Sequence, residues 1–262
     1  INNLSGLRSN QFRLVEDGAL KIVLKTIDSA DDRLRMLAAE CVRNLSTCNR
    51  TRPKLIDAGF IQILLNMSRD PVGSVRRAAI RSFYQFARDI ACREKVVHAG
   101  AIAIVIRAAT DKTSEIETSR VVASTLLALC RDQSILQRLI KDNIVRALMH
   151  LIDVDDAQIR QSCIETLCYL FRDDNLLTKL IDQGAVGVLV SLCQNSTDLI
   201  TGEWCAYTLY HLTINGDCPV SMMGGGILPC LIKLCGRSTA QSKLFCAAAF
   251  SVITMNKEID SS

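Results

Sequence analysis

Apolar residues recur along this chain at helical spacing, and the pattern itself repeats. The stretch from Lys54 to Arg88 predicts a short helix, a turn at Gly59, a second helix, a polar loop and a longer third helix. In the second helix, Ile61 and Leu64 stand three residues apart and therefore share one face. The same order of elements recurs every 41–43 residues. A period of this size is typical of an α-helical solenoid built from stacked repeats.

One residue type dominates the turn between the first and second helices. The aligned positions are Gly18, Gly59, Gly100, Asn143, Gly184 and Gly226. Glycine and asparagine enter the left-handed backbone conformation more easily than other residues. We therefore predict a turn with positive φ between two packed helices in every repeat.

Three positions of the third helix are apolar in all six repeats. They are Ala39, Ile80, Ala123, Ile164, Ala206 and Ala247; Val42, Phe83, Leu126, Leu167, Leu209 and Phe250; and Leu45, Phe86, Leu129, Leu170, Leu212 and Ile253. We predict that these rows form the buried stripe. The alignment predicts a single domain over residues 1–262, with repeats at about 6–47, 48–88, 89–131, 132–172, 173–214 and 215–255 and partial repeats at both ends.

These features resemble the armadillo repeat family. The resemblance rests on the glycine turns in DAGFIQIL, HAGAIAIV and DQGAVGVL and on the third-helix string from Ala38 to Leu45, and it covers essentially the whole chain. It implies an all-α fold, a right-handed superhelical solenoid of about six armadillo repeats with three helices each, whose third helices line a concave groove. HEAT repeats are the close alternative, but they usually have two helices and lack this glycine turn.

The family's peptide-binding residues are only partly matched. The resemblance implies a groove asparagine that bonds a partner's backbone and a tryptophan four residues before it. The asparagine is present at Asn44, whereas the tryptophan positions hold Glu40, Arg81, Ser124, Glu165, Tyr207 and Ala248. Trp204 lies one turn away. This departure argues against a nuclear-import receptor that binds the usual basic signals.

Rotation by 100° per residue places four rows of each third helix on the groove face. The candidate partner-binding residues are Asn44, Arg77, Arg81, Gln85, Arg88, Arg120, Arg131, Tyr169, Arg172, Trp204, Tyr207 and His211. They predict a groove with a basic centre and an aromatic C-terminal side. Because arginine binds carboxylates bidentately, we expect an acidic or mixed acidic–apolar protein segment as the partner.

Two alternatives remain open at these positions. Arg88, Arg131 and Arg172 are each followed by an aspartate, so the Arg–Asp pairs could be solvated helix ends that bind nothing. Trp204 could fill the core instead of anchoring a partner.

No catalytic or metal-binding constellation can be assembled from the sequence. His98, His150 and His211 fall in different repeats, and no Cys/His spacing of the zinc type occurs. The glycines at 224–226 lack the Lys-Ser/Thr of a phosphate loop. We therefore expect no enzymatic activity, cofactor, metal or small-molecule substrate.

Composition indicates how the helices pack and in which compartment the chain is expected. The chain is 49% hydrophobic but only 5% aromatic, which suits helices packed through aliphatic residues, and its net charge of +4 is far from that of a nucleic-acid-binding protein. Its twelve cysteines lie mostly at apolar helical positions, so we expect free thiols in the reducing cytoplasm. No window of about 18 residues lacks charge, which argues against a transmembrane helix. Membrane attachment is expected only through an unseen signal upstream of Ile1.

The function expected from these observations is a non-catalytic scaffold or adaptor for protein partners. The chain also resembles armadillo-repeats-only adaptors, one group of which, in apicomplexan parasites, is acylated and positions organelles through motor and cyclase partners. That resemblance implies a role in tethering or positioning an organelle or motor complex, at a cytoplasmic or peripheral membrane location. The alternatives are a nuclear transport adaptor of the importin-α type and a regulatory armadillo module of a larger multidomain enzyme.

Overall fold

The computed structural model describes residues 1–111, 114–195, 198–214, 226–237 and 239–259, which are almost entirely helical and contain no strand. They form two compact units. The helices of the first unit are α1 (Asn2–Ser5), α2 (Arg8–Glu16), α3 (Ala19–Ile27), α4 (Asp32–Ser46), α5 (Arg52–Asp57), α6 (Phe60–Met67), α7 (Gly73–Ala87), α8 (Ile90–His98), α9 (Ala101–Ala109) and α10 (Ile116–Cys130).

The second unit continues the same order of elements. Its helices are α11 (Gln133–Lys141), α12 (Ile144–Ile152), α13 (Ala157–Phe171), α14 (Asp174–Asp182), α15 (Ala185–Asn195), α16 (Leu199–Ile214), α17 (Leu228–Arg237) and α18 (Ala240–Ile259). The third helices of the repeats are α4, α7, α10, α13, α16 and α18. The predicted end of the sixth repeat, at residue 255, falls inside α18, so no separate helix begins there.

The turns between first and second helices have the predicted backbone conformation. All six aligned residues have positive φ, from 65° at Asn143 to 96° at Gly100, and no other described residue does. The Asn143 side chain also accepts a hydrogen bond from the Arg146 amide at 3.3 Å, which caps α12. The alternation of first and second helices is thus set by residues that tolerate the left-handed region.

The predicted stripe forms the core of the first five repeats. Fifteen of its positions there are buried, from Ala39 to Leu212, and Ile253 is buried as well. The prediction is wrong at Ala247, which is exposed, and at Phe250, which is half-buried. Burial in a solenoid needs a neighbouring helix on each side, and no described helix covers this side of α18.

The aspartates that follow Arg88, Arg131 and Arg172 cap the first helices. Asp89, Asp132 and Asp173 accept hydrogen bonds from the backbone amides two residues further on, at distances of 3.1 Å, 3.2 Å and 3.1 Å. A side-chain acceptor at this position satisfies an amide that has no partner within the helix. Each Arg–Asp pair therefore marks the junction between a third helix and the next first helix.

Candidate functional site

The twelve candidate residues lie on the third helices or directly after them, and none of them is buried. Trp204 is half-buried, so it is not a core residue of the repeat. In each unit, the solvent-accessible side of the third helices that carries these residues is called its third-helix face.

The arginines on the third-helix face of the first unit are mostly engaged within the chain. Arg77 Nη1 lies 2.7 Å from Glu115 Oε1, and Arg81 Nη2 lies 3.6 Å from Glu117 Oε1. Arg120 Nη1 lies 3.4 Å from the other oxygen of Glu117. The predicted basic centre is therefore largely neutralised in this unit by two glutamates at the start of α10.

Two further candidates in the first unit are held by local contacts. The Asn44 amide donates to Ser5 Oγ at 3.0 Å and to Asn2 Oδ1 at 3.4 Å, so its donor is used inside the unit. Arg88 is exposed, and its guanidinium stacks on the ring of Tyr84 with its carbon 5.4 Å from the ring centroid. Gln85 lies half-buried between these positions along the repeat array.

In the second unit, Arg172 is exposed and held by two tyrosines. Its Nη2 donates to the hydroxyl of Tyr207 at 2.8 Å. Its guanidinium carbon lies 5.6 Å from the Tyr207 centroid and 5.9 Å from the Tyr169 centroid. Only one of the five guanidinium N–H groups is used by these contacts with described residues. Cation–π contacts and one hydrogen bond therefore fix the side chain while most of its donors stay available.

A cavity of about 230 Å³ adjoins this arginine. It is lined by Cys130, Arg131, Gln133, Leu136, Tyr169, Arg172 and Asp173. Arg131 is mostly exposed and lies 4.0 Å from Glu165, at the limit of an ion pair, while Glu165 also accepts from Gln161 Nε2 at 3.0 Å. Two guanidinium groups, one from each of two successive repeats, therefore border the same cavity.

Aromatic side chains continue the face from α16 to α18. Tyr207 lies edge-on to His211 at 4.4 Å, to Phe245 at 5.3 Å and to Trp204 at 6.1 Å between ring centroids. Tyr210 stacks on Phe245 at 5.6 Å.

Sequence reasoning brought Trp204, Tyr207 and His211 together but missed two aromatic neighbours, Tyr210 and Phe245. Phe245 stands 41 residues after Trp204, so the repeat period itself could have identified it.

The charge of this cluster is carried by the arginine. Burial lowers the pKa of His211, the guanidinium of Arg172 lowers it further, and Asp174 opposes them. The hydrogen bond to Tyr207 raises the pKa of Arg172. At neutral pH, His211 therefore adds a neutral aromatic surface beside a fixed positive charge.

Among the described residues, no group of three or more His, Cys, Asp and Glu side chains could hold a metal ion. Eleven cysteines are free thiols, and burial raises the pKa of Cys163 to about 12 and that of Cys92 to about 11. Thiols with raised pKa values are poor nucleophiles at neutral pH.

Within the described ranges, no single helix is both long and apolar enough to cross a bilayer. The pair α14 and α15 meets the length and composition test only jointly, and it is bent by 81°. Core helices of soluble proteins pass the same test.

Comparison with known families and solved structures identifies the fold. The HEAT repeat model matches residues 60–90. A designed armadillo repeat protein is 18% identical with a TM-score of 0.71, over 88% of this chain and 98% of that one. A computationally designed armadillo repeat protein for modular peptide recognition is 19% identical with a TM-score of 0.76, again over 88% and 98%.

A further designed armadillo protein, in complex with the peptide (KR)4, is 18% identical with a TM-score of 0.71 over 88% and 97% of the two chains. No curated protein matches the sequence. The glycine turns, the three-helix repeat and these structural matches agree, and the chain has the fold of the armadillo repeat proteins, an armadillo/HEAT-type repeat solenoid.

Proposed function

We propose that the chain is a non-catalytic adaptor whose third-helix face holds an extended protein segment that combines acidic and apolar side chains. The observation that carries this proposal is the exposed Arg172, fixed between Tyr169 and Tyr207 with most of its donors available. An arginine already held in place loses little rotamer entropy when it binds a carboxylate.

Arg131 and the aromatic cluster extend the same site. Arg131 borders the same cavity as Arg172, so two guanidinium groups can bind successive carboxylates or share one. Half-buried rings at Trp204, Tyr207 and His211 give a neighbouring surface suited to an apolar side chain. Together these features favour a segment in which an acid is followed by an apolar residue.

Charge distinguishes this site from that of a structural relative. The designed armadillo protein bound to (KR)4 carries a basic peptide. In the present chain, arginines border the cavity of the second unit, and like charges would repel a basic segment. The internal hydrogen bonds of Asn44 also favour an adaptor over a nuclear transport receptor of the importin-α type.

The adaptor proposal includes a cytoplasmic setting. The eleven free thiols suit a reducing compartment, in which most cysteines stay unpaired. Positioning of an organelle or a motor complex is the form of adaptor role that we favour, because a repeat scaffold offers separate surfaces to more than one partner.

Binding of defined peptides tests the proposal. Fluorescein-labelled peptides of about twelve residues, which extend by ~3.3 Å per residue across neighbouring helices, would alternate Leu with Glu, with Gln or with Lys. We expect the Glu peptide to bind most tightly in fluorescence anisotropy. The double variant Arg131→Glu/Arg172→Glu should weaken its binding by about tenfold or more, since it replaces attraction by repulsion.

The control is Lys21→Glu/Lys25→Glu, which makes the same charge change on exposed positions of α3. Circular dichroism would confirm that both variants keep their helices. Equal binding of the Lys and Glu peptides, or equal weakening in the two double variants, would contradict the proposed function.

A further inference from the structure

A cavity of about 700 Å³ in the second unit lies between its first helices, α11 and α14. Its rim carries Lys141 and Lys179, and its lining includes Ile140, Leu176 and Gln183. The name first-helix cleft is used here for this cavity. None of the twelve candidate residues of the third-helix face lines it.

In the first unit, the equivalent positions on successive first helices form ion pairs. Lys54 of α5 pairs with Glu16 of α2. Lys95 of α8 lies 3.9 Å from Asp57 of α5. In both cases a cation of one first helix meets a carboxylate of the first helix in the preceding repeat.

The repeat alignment shows what replaces that pair in the second unit. Lys179 occupies the position of Lys54 and Lys95, whereas Lys141 occupies the position of Glu16 and Asp57. Two ammonium groups therefore stand where the first unit has a cation and an acid. Both lysines are exposed, and among the described residues neither has an ion-pair or hydrogen-bond partner. Like charges on neighbouring helices repel each other, and a bound anion would relieve this repulsion.

The interior of the cleft adds an apolar floor and one unmet acceptor. Ile140 and Leu176 are 2% and 1% exposed. The Gln183 side chain donates through Nε2 to the Ile140 carbonyl at 2.9 Å, but its Oε1 is buried and has no partner among the described residues. A buried acceptor without a donor costs free energy, which a ligand N–H could recover if the Gln183 side chain turns its Oε1 towards the cleft.

Arg138 is the third cation of the lining, and it is already engaged. Its Nε lies 3.5 Å from Asp142 in the next turn of the chain. Asp182 is the acid of the lining; it is exposed and forms no ion pair with a described residue. Two lysines against one carboxylate leave the cleft with a net positive charge, and Arg138 is not needed for the site.

We propose that the first-helix cleft binds a carboxylate side chain of a partner polypeptide. This carboxylate supplies the acid that the second unit lacks in the ladder of ion pairs between successive first helices. The Asp or Glu of the partner lies between Lys141 and Lys179, and a backbone N–H of the same segment donates to Gln183 Oε1. A polypeptide fits better than a phosphate ion, because it offers a carboxylate and an N–H donor together. This second docking surface does not depend on the third-helix face.

Methyl NMR with hexaglutamate as the probe tests the proposal. The signals of Ile140 and Leu176 would be followed at low, fixed ionic strength in the chain that carries Arg131→Glu/Arg172→Glu, so that the third-helix face does not compete. We expect both signals to move and saturate. Lys141→Glu, which restores the acid of the ladder, should weaken this binding by about tenfold or more, because it both pairs Lys179 and repels the probe.

Arg146→Glu is the matched control, since it makes the same charge change at an exposed position of α12 outside the cleft. It should change the affinity by less than about twofold, as expected for a distant charge in salt. Equal affinities in Lys141→Glu and Arg146→Glu, or unmoved Ile140 and Leu176 signals, would overturn the proposal. A parallel titration with inorganic phosphate separates the sources of the anion, because a response to phosphate but not to hexaglutamate would also overturn it.

Discussion

In the first unit, a polar side chain stands at one repeat position where the second unit has leucine. The polar residues are Gln11, Arg52 and Arg93, and the leucines are Leu136 and Leu177. Each polar side chain donates to a carbonyl at the end of the preceding third helix, Gln11 to Ser5 at 2.9 Å, Arg52 to Ser46 at 2.9 Å and Arg93 to Ala87 at 2.6 Å. The leucines are 3% and 8% exposed and contribute apolar burial instead.

The two solutions stabilise the same helix junction by different means. A side-chain donor satisfies a carbonyl that has no partner within the helix, whereas a buried leucine stabilises the junction because its apolar surface is removed from water. Arg52 also pairs with Asp89, the residue that caps α8, and these side chains are only 12% and 18% exposed. The armadillo fold therefore constrains the shape of this position more than its polarity.

The same contrast extends to the surfaces. In the first unit, acids pair with Arg77 and Arg81 on the third helices. Acids also pair with Lys54 and Lys95 on the first helices. In the second unit Arg172 is held by tyrosines, and Lys141 replaces an acid. Both binding proposals therefore fall in the unit where Arg172, Lys141 and Lys179 have no ion pair with a described residue.

The largest expected effect comes from removal of the polar junction in the first unit. Arg52→Ala leaves the Asp89 carboxylate and the Ser46 carbonyl without their partner in a mostly buried place. Breaking such a pair costs about 3 kcal/mol. Urea unfolding followed by circular dichroism measures the loss.

The comparison variant is Asp57→Ala, which removes an exposed ion pair to Lys95. Exposed pairs contribute at most about 1 kcal/mol, so this variant should be nearly neutral. If Arg52→Ala were as mild as Asp57→Ala, the junction would be held by packing in both units.

A smaller effect is expected when the second unit is given the chemistry of the first. Asp173 stands at the position of Asp89, and Cys130 stands at the position of Ser46. Both line the cavity next to Leu136. The guanidinium of Leu136→Arg should therefore contact the Asp173 carboxylate and the Cys130 carbonyl. Leu136→Glu would instead bury a negative charge beside Asp173.

We expect the free energy of unfolding of Leu136→Arg to exceed that of Leu136→Glu by about 2 kcal/mol, the cost of an unpaired charge in a mostly buried place. The two variants differ in charge at one site, so urea midpoints compare them directly. Equal stabilities would show that the acceptors of the second unit are not placed to receive a cation.

Sequence periodicity was sufficient to predict the helices, the six turns and nearly all of the core, because each follows from a pattern that the successive repeats share. The third-helix face was predicted less completely. Glu115, just before α10, and Glu117, in its first turn, reach Arg77 and Arg81 from outside the four rows that were aligned. A contact of this kind depends on where the preceding loop places the start of α10 against α7, which helical spacing does not encode.

The Arg–Asp pairs show the same limit at another place. Helical spacing identifies Arg88, Arg131 and Arg172 as surface residues, but it does not show that the following aspartates cap the next helices. Each carboxylate accepts from a backbone amide of the next first helix, and Asp89 also pairs with Arg52. The difference between Arg88 on one tyrosine and Arg172 between two arises from Tyr207, which belongs to the next repeat.

The smallest expected effect is a pH dependence confined to the aromatic cluster of the second unit. Burial and Arg172 lower the pKa of His211 below its ordinary value of about 6.5, against a weaker opposite effect of Asp174. The unfolded chain then binds more protons than the folded chain as the pH falls through 6.5 towards the folded pKa. Stability should therefore decrease in that window.

The variant His211→Phe keeps an aromatic ring against Tyr207 but cannot take up a proton. Urea midpoints measured between about pH 7 and about pH 5, the range in which histidine titrates, should fall less steeply in this variant than in the unmodified chain. His98→Gln, at an exposed position of α8, is the control, since it removes a histidine outside the aromatic cluster. If His211→Phe left the slope unchanged, His211 would contribute nothing to it, and the charge of Arg172 would not reach the imidazole.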